Sequence, residues 1–286
     1  MSSVLISVSE LQALLAMPGD RLMVLDLTFD LAHPAAGEQV YMAGHVPGAI
    51  YLHLDRDLSA PKTGRNGRHP LPGRDEFAAR LAHVGARNGM HFVVYDGSGG
   101  MYAARAWWML RWLGEADVSV LDGGMSAWRT AGGPLEAGPM SPRAAGDLRP
   151  AAQGMASVDF AELLAAHAGG PWTVVDARAP DRFRGENETL DPVGGRIPGA
   201  LNRFFRDNLG PEGLFKPAAQ LRAEWSAVLA GRDPARAVHQ CGSGVTACHN
   251  LLALEIAGLQ GGALYPGSWS EWCAQPGAPI ATGAAG

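Results

Sequence analysis

An internal repeat is the feature that most restricts how this chain of 286 residues can fold. Four short segments and one tryptophan return in the same order, 144 to 151 residues further along. The pairs are 7–11 with 157–161, 24–26 with 174–176, 44–49 with 195–200, 92–96 with 237–241, and Trp128 with Trp272. A repeat of this length indicates a duplicated domain, since each copy has a size that is typical of single domains.

A stretch rich in proline, glycine and alanine separates the two copies. It shows no apolar periodicity, which is typical of a linker. We therefore predict a first domain at 1–133, a linker at 134–155 and a second domain at 156–286.

Short β-branched runs alternate with amphipathic stretches in each copy. The helical stretches are 75–84, 103–113, 157–167 and 218–230, and Ser7 and Ser157 are the expected helix caps. This alternation predicts an α/β fold in which each copy is a mainly parallel sheet flanked by helices.

The composition excludes several classes of protein. With 47% hydrophobic and 18% charged residues the chain is globular, and its net charge of −5 argues against nucleic acid or an acidic membrane as a partner. No apolar run approaches a membrane span, and the N-terminus does not resemble a signal peptide. Three cysteines are too few for a disulfide framework, so we expect a soluble, cytoplasmic protein.

Cys241 stands where chemistry is expected in such a fold. It follows the apolar run 237–240 and opens the segment 241–247, CGSGVTA, which leads into a helical stretch. Glycines there let backbone N–H groups converge on an anion at a helix N-terminus, which would stabilise a thiolate. We predict that Cys241 is a nucleophile, whereas Cys248 and Cys273 pack in the interior. The spacing of the three fits no usual metal site, so we expect neither metal nor cofactor.

The motifs of the second half resemble those of the two-domain rhodanese-family sulfurtransferases. They are CGSGVTA at 241–247, DAR at 176–178, RFRG at 182–185, GRIPGA at 195–200 and GSWSEW at 267–272. The resemblance extends from about residue 7 to 280. It implies two tandem rhodanese-like domains, of which only the second carries the catalytic cysteine, because Asp96 stands at the corresponding position of the first.

The resemblance also implies a reaction and its partners. Cys241 would take a sulfane sulfur from a small-molecule donor, hold it as a persulfide and pass it on. The expected acceptors are cyanide and a thiol or dithiol, including that of a thioredoxin-like protein.

The loop after the cysteine bears on the donor. The resemblance associates Gly-Ser-Gly with 3-mercaptopyruvate and basic loop residues with thiosulfate, so 3-mercaptopyruvate is favoured. In enzymes of this kind a relay of serine, histidine and aspartate takes the proton of the donor thiol. The matching residues are Ser243, His69 and Asp55, two of which precede the linker.

The donor carboxylate calls for an arginine fork. By resemblance, the substrate-binding residues are Arg182, Arg178, Tyr102, Gly242, Gly244, Val245 and Thr246. One position departs from the pattern. By the resemblance, enzymes that use mercaptopyruvate carry a second arginine nine residues after the first. This chain has Asp191 there, as in the thiosulfate enzymes, and Asp191 would repel a carboxylate. Unless Arg196 or Arg184 substitutes, we expect weak binding of mercaptopyruvate, which leaves the donor open.

Three alternatives stay open. In the first, the donor is thiosulfate and the protein is a thiosulfate sulfurtransferase. In the second, the chain only binds and carries persulfide without multiple turnover. A phosphatase of related fold would need an arginine six residues after Cys241, where Ala247 stands instead.

Overall fold

The computed structural model describes residues 3–167 and 169–284. By their internal contacts these residues form two compact units. The first contains residues 3–59, Pro72–Gly154 and Pro211–Leu214, and the second contains Ala60–Leu71, Met155–Gly210 and residues 215–284.

The first unit is built on a five-stranded parallel sheet of order β1-β5-β4-β2-β3. Its strands are β1 (Leu5–Ile6), β2 (Leu22–Asp26), β3 (Ile50–Tyr51), β4 (His91–Tyr95) and β5 (Val118–Leu121). Its helices are α1 (Val8–Ala16), α2 (Ala36–Ala43), α3 (Leu54–Asp57), α4 (Arg74–His83), α5 (Ala103–Leu113) and α6 (Gly124–Thr130).

The second unit repeats this sheet, with order β6-β10-β9-β7-β8 and all pairs parallel. Its strands are β6 (Ala156–Ser157), β7 (Thr173–Asp176), β8 (Leu201–Asn202), β9 (Ala237–Gln240) and β10 (Ala263–Leu264). Its α-helices are α7 (Phe160–His167), α8 (Pro180–Arg184), α9 (Ala218–Leu229), α10 (Thr246–Ile256) and α11 (Ser268–Trp272), with 3-10 turns at Phe205–Asn208 and Pro234–Arg236.

The central strands are buried on both faces, which explains their continuous apolar runs. In β4 the residues Phe92–Tyr95 are buried, and all of β9 is buried. The helices that follow them, α5 and α10, are buried along almost their whole length. The predicted α/β fold with two mainly parallel sheets is therefore confirmed.

The duplication is visible in details as well as in strand order. Each unit closes on a tryptophan whose indole N–H donates to the backbone carbonyl of a following proline. Trp128 donates to Pro134 at 2.9 Å, and Trp272 donates to Pro279 at 2.8 Å. Both rings are fully buried. The repeat predicted from the sequence is confirmed.

The first helix begins with the expected serine cap in one unit and with a different cap in the other. Ser7 caps α1 as predicted, because its hydroxyl accepts from the Glu10 N–H and Glu10 accepts from the Ser7 N–H. The prediction of Ser157 as a cap is wrong. Ser157 lies in β6, and Asp159 forms the reciprocal bonds with Glu162 that start α7.

Segment 60–71 precedes the predicted linker but belongs to the second unit by its contacts. The Arg68 N–H donates to Ser270 Oγ at 3.0 Å, and Gln275 Nε2 donates to the Arg65 carbonyl at 2.9 Å. The second unit therefore includes a segment that the linear domain boundaries assign to the first domain.

Over the ranges 3–167 and 169–284, no helix is both long enough and apolar enough to cross a membrane.

Replacing the observed cap of α7 should destabilise the protein. In Asp159→Ala the Glu162 N–H loses its acceptor, so we expect a loss of about 1 kcal/mol in the free energy of unfolding. The matched control Ser157→Ala removes an exposed hydroxyl and should stay within about 0.5 kcal/mol of the wild type. Urea denaturation measures both, and equal losses would contradict the assignment of Asp159 as the cap.

Candidate active site

Cys241 follows the central strand of the second sheet. Strand β9 pairs with β7 on one side and β10 on the other, and it ends at Gln240. Helix α10 begins at Thr246, so residues 241–245 form a tight loop at the carboxyl end of the sheet, which we call the active loop. Ligands of parallel α/β sheets bind at this end.

Helix α11 fixes the backbone of the active loop. The carbonyls of Cys241 and Gly242 accept from the N–H groups of Trp269 and Ser270, both at 3.0 Å. The Ser243 N–H donates to Cys241 Sγ at 3.4 Å. The loop carbonyls are thus engaged with α11, and a loop amide faces the sulfur.

Ser268 holds the backbone of Cys241. Its hydroxyl accepts from the Cys241 N–H at 3.1 Å and donates to the Tyr265 carbonyl at 2.9 Å. Ser268 has φ of 53°, a left-handed conformation that costs a non-glycine residue about 1–2 kcal/mol. The corresponding residue of the first unit, Gly124, has the same φ without that cost.

Ser243 and His69 form a buried pair within the second unit. Ser243 Oγ and His69 Nδ1 lie 2.7 Å apart in a hydrogen bond, and the two residues are 7% and 2% exposed. The structure therefore brings together two of the three predicted relay residues.

The third predicted relay residue, Asp55, belongs to the first unit, where it lies half-buried in α3. Its backbone N–H donates to His53 Nδ1 at 3.1 Å. Its part in a relay stays a prediction.

Tyr102 also belongs to the first unit, at the start of α5. It is buried and packs edge-on against Phe29, with ring centroids 5.3 Å apart. Burial raises the pKa of its phenol well above the usual value, so the hydroxyl stays protonated. Its role in substrate binding stays a prediction.

Arg182 lies beside the active loop and is held by two carboxylates. Its guanidinium donates to Glu188 at 2.8–3.1 Å and to Asp191 at 3.5 Å. A methyl group on Gly242 would lie 3.6 Å from Nη2 of Arg182 and 3.7 Å from Nη1. The predicted substrate-binding arginine is therefore within contact distance of the loop.

Arg178 is engaged inside the protein. Its side chain is 1% exposed, donates to Asp176 at 2.7 Å and to the Gly195 carbonyl at 2.6 Å, and lies over the Trp269 ring. Removing one member of such a buried ion pair costs about 3–5 kcal/mol, because the other charge is left uncompensated. These contacts fit a residue that positions α11 and β7, and the predicted contact with substrate stays untested.

Arg68 is a residue that the sequence reasoning missed. A methyl group on Gly242 would lie only 2.8 Å from its Nη2, and its Nη1 forms an ion pair with Asp191. The one available signal was its position next to His69, since a residue adjacent to a relay histidine has to lie near the loop.

Asp191 and Glu188 are the carboxylates that organise these arginines. Burial raises the pKa of Asp191 and the charge of Arg68 works against that rise. Burial acts in the same direction on Glu188, but hydrogen bonds from Arg182 and from backbone N–H groups hold its pKa below the usual value. Asp191 thus lies between the guanidiniums of Arg68 and Arg182.

The corresponding loop of the first unit carries Asp-Gly-Ser-Gly at 96–99, where the active loop has Cys-Gly-Ser-Gly at 241–244. The Asp96 carboxylate is buried and accepts four backbone N–H groups at 2.6–3.0 Å. The donors are Ser98, Gly100, Tyr102 and Ala103. This loop therefore encloses a negative charge with backbone amides, in the way that the sequence predicts for the cysteine.

The rest of the loop and the other cysteines complete the site. Val245 is buried, and Thr246 is half-buried as the first residue of α10. Cys248 is buried and its thiol donates to the Gly244 carbonyl at 3.3 Å. Cys273 is half-buried, and burial raises its pKa to about 11, so its thiol stays protonated at neutral pH. Among the residues that the structure describes, no cluster of three His, Cys, Asp or Glu side chains could hold a metal ion.

Comparison with known proteins identifies both halves. The model of the rhodanese-like domain matches residues 7–131 and 159–275. The Pseudomonas aeruginosa protein named "Probable 3-mercaptopyruvate sulfurtransferase" is 48% identical over 284 residues, covering 99% of each chain. The thiosulfate sulfurtransferase of Gallus gallus is 34% identical over 261 residues, covering 89% of this chain and 87% of its own.

A solved structure has the same fold. SseA from Escherichia coli, described as having the rhodanese fold of the 3-mercaptopyruvate sulfotransferases, superimposes with a TM-score of 0.80 and 30% identity. The superposition covers 94% of this chain and 99% of SseA.

The two glycines of the active loop should respond differently to alanine. Gly244 has φ of +76°, and a Cβ there would lie 2.3 Å from the Pro266 carbonyl oxygen, so Gly244→Ala should cost at least about 1–2 kcal/mol of stability. Gly242→Ala meets the movable end of Arg68 and should cost less. Urea unfolding of the two variants checks this order. A Gly244→Ala variant that is more stable than Gly242→Ala would contradict the loop geometry.

Proposed function

The chain belongs to the family of rhodanese-like domain proteins, and we propose that it is a sulfurtransferase whose nucleophile is Cys241. The observation that carries the proposal is the active loop, which presents the cysteine at the end of the central strand with a backbone N–H directed at its sulfur. The relatives named for sulfur transfer support the same class of reaction.

The proposed reaction has two half-reactions. In the first, the Cys241 thiolate attacks the transferable sulfur of the donor. With 3-mercaptopyruvate the carbon–sulfur bond breaks, and its electron pair leaves with the enolate of pyruvate. With thiosulfate the sulfur–sulfur bond breaks, and its electron pair leaves with sulfite. In the second, cyanide or a thiolate attacks the outer sulfur of the persulfide and Cys241 leaves as the thiolate again.

A persulfide carries its charge on the outer sulfur, so the loop has to accommodate an anion. The first unit supports this requirement, because its related loop holds the Asp96 carboxylate with four N–H groups. We propose that Gly242, Gly244, Val245 and Thr246 serve the donor and the persulfide in a comparable way.

The favoured donor is 3-mercaptopyruvate, which enters as a thiol and has to lose a proton. We propose that the Ser243 hydroxyl takes this proton while it passes its own proton to His69. The relay then returns one proton to the methylene carbon of the leaving enolate, which becomes the methyl group of pyruvate. The 2.7 Å distance between Ser243 Oγ and His69 Nδ1 supports the first two members of this relay. Asp55 is proposed as the third. Thiosulfate carries no such proton, so the relay would be superfluous for it.

Arg182 is proposed to bind the donor anion, with Tyr102 lining the same site. We assign Arg178 mainly to positioning, since its guanidinium is engaged with Asp176 and Gly195. Thiosulfate stays the alternative donor, because the relatives include proteins named for each. We further propose that the protein acts in the cytoplasm, where a thioredoxin-like dithiol can be the acceptor, and that it turns over many times and is not a carrier of single sulfur atoms.

Removal of the nucleophile should stop the reaction with every donor. Cys241→Ser should reduce sulfur transfer to cyanide to the background rate with both 3-mercaptopyruvate and thiosulfate. Cys273→Ser, which changes a half-buried cysteine with a raised pKa, should keep most of the activity. Steady-state thiocyanate formation measures both variants, and full activity of Cys241→Ser would overturn the proposed function.

Loss of the relay histidine should depend on the donor. His69→Ala leaves Ser243 without its hydrogen-bond partner, so kcat/KM for 3-mercaptopyruvate should fall by roughly 100-fold or more, the usual scale of general base catalysis. The value for thiosulfate should fall much less, because no proton has to be removed. Parallel donor titrations of one preparation test this, and equal losses would exclude the relay while leaving Cys241 unaffected.

A further inference from the structure

The site lacks the second arginine that the resemblance leads one to expect, because Asp191 occupies its place. The two substitutes suggested by the sequence are engaged elsewhere. Arg184 is half-exposed and forms an ion pair with Glu186 at 2.7 Å. Arg196 donates to the carbonyls of Gly283 and Ala284 and lies over an aromatic ring. Neither is placed to meet a donor at the active loop.

Arg68 fills this gap from another part of the chain. Its Nη2 and the two terminal nitrogens of Arg182 all approach the same point, the position of a Cβ on Gly242, at 2.8, 3.6 and 3.7 Å. Gly242 is the residue after the nucleophile. Two guanidiniums therefore converge on the position of the Gly242 side chain. In a loop that has a basic residue after the cysteine, the charge of that residue would start from the same position.

The surrounding contacts hold Arg68 in this position. Its Nη1 pairs with Asp191, and its backbone N–H donates to Ser270 Oγ at 3.0 Å. The preceding Gly67 has φ of +83° and packs so closely on Gly267 that a Cβ would lie 2.7 Å from the carbonyl oxygen. Within the described part of the chain, Nη2 of Arg68 makes no hydrogen bond, so this nitrogen is available to a ligand.

Asp191 positions the two arginines in this arrangement. Its side chain is 3% exposed and contacts both Arg68 and Arg182, so its charge orders two cations instead of opposing a donor. Charge-assisted hydrogen bonds from guanidinium to carboxylate or to sulfur oxyanions are strong and directional.

We propose that Arg68 is the second guanidinium of the donor-anion site, where it binds the anionic oxygens of the donor together with Arg182. This inference rests on the proposed function, since it assumes that the donor approaches Cys241. The chemistry applies to the carboxylate of 3-mercaptopyruvate and to the oxygens of thiosulfate, and the experiment includes both.

The first experiment compares Arg68→Gln and Arg68→Lys with the wild type and with Arg65→Gln, a matched control on an exposed arginine of the same segment. For a two-step exchange reaction, kcat/KM for the donor and kcat/KM for cyanide report on separate half-reactions. Arg68→Gln should lower the donor value about 10- to 100-fold, the loss expected for a charged hydrogen bond, and leave the cyanide value unchanged. Arg68→Lys should recover part of the loss.

The outcomes are decisive for each donor. A loss with one donor or with both supports the inference and identifies the anion that Arg68 binds. No loss with either donor, or an equal loss in the cyanide half-reaction, would overturn it and leave Arg68 as a structural partner of Asp191.

A second experiment separates this inference from the proposed function, because it requires no sulfur transfer. Alkylation of Cys241 by anionic iodoacetate is compared with alkylation by neutral iodoacetamide, and the modified peptide is quantified by mass spectrometry. Arg68→Gln should reduce the iodoacetate rate several-fold more than the iodoacetamide rate. Equal effects on the two reagents would overturn the inference, whereas a wild-type protein that transfers no sulfur would overturn the proposed function alone.

Discussion

The hydrogen bonds between the active loop and the start of α11 are the constraint on which the site depends. They fix the carbonyls of Cys241 and Gly242 on the α11 side and leave a loop amide facing the sulfur. The first unit forms the related bond from the Met125 N–H to the Asp96 carbonyl, and its loop amides enclose a carboxylate. One backbone arrangement thus holds the Asp96 carboxylate in one copy and faces the sulfur of Cys241, the proposed nucleophile, in the other.

A second constraint is charge balance around the loop. Three arginines and three carboxylates lie close together in the second unit, and each carboxylate determines where a guanidinium can point. The buried pair of Asp176 and Arg178 supports the sheet end, whereas Asp191 holds Arg68 and Arg182 beside Gly242. The departure of Asp191 from the family pattern is therefore offset in space by an arginine from segment 60–71. The proposed donor anion would therefore approach two guanidiniums beside Gly242.

Local pattern was sufficient to predict much of the fold. The apolar runs predicted β4 and β9, the repeat predicted two similar sheets, and α5 has the expected bounds at Ala103–Leu113. The position of Cys241 after a central strand also followed from the sequence. The cap of α7 could not be predicted from the sequence, because Ser157 and Asp159 are both good cap residues. Only the pairing of β6 with β10 decides between them. The place of Arg68 was likewise hidden, since it depends on tertiary contacts of residues 60–71 that no periodicity encodes. The site roles drawn from the family resemblance stay predictions.

The central claim is that Cys241 carries the transferred sulfur as a persulfide. The most direct test is the mass of the protein after incubation with a donor and before addition of an acceptor. Incubation with 3-mercaptopyruvate or thiosulfate, followed by mass spectrometry of the intact chain and of its peptides, should show one added sulfur atom on Cys241, and cyanide should remove it. A protein that gains no sulfur, or that gains it on Cys248 or Cys273 instead, would contradict the account.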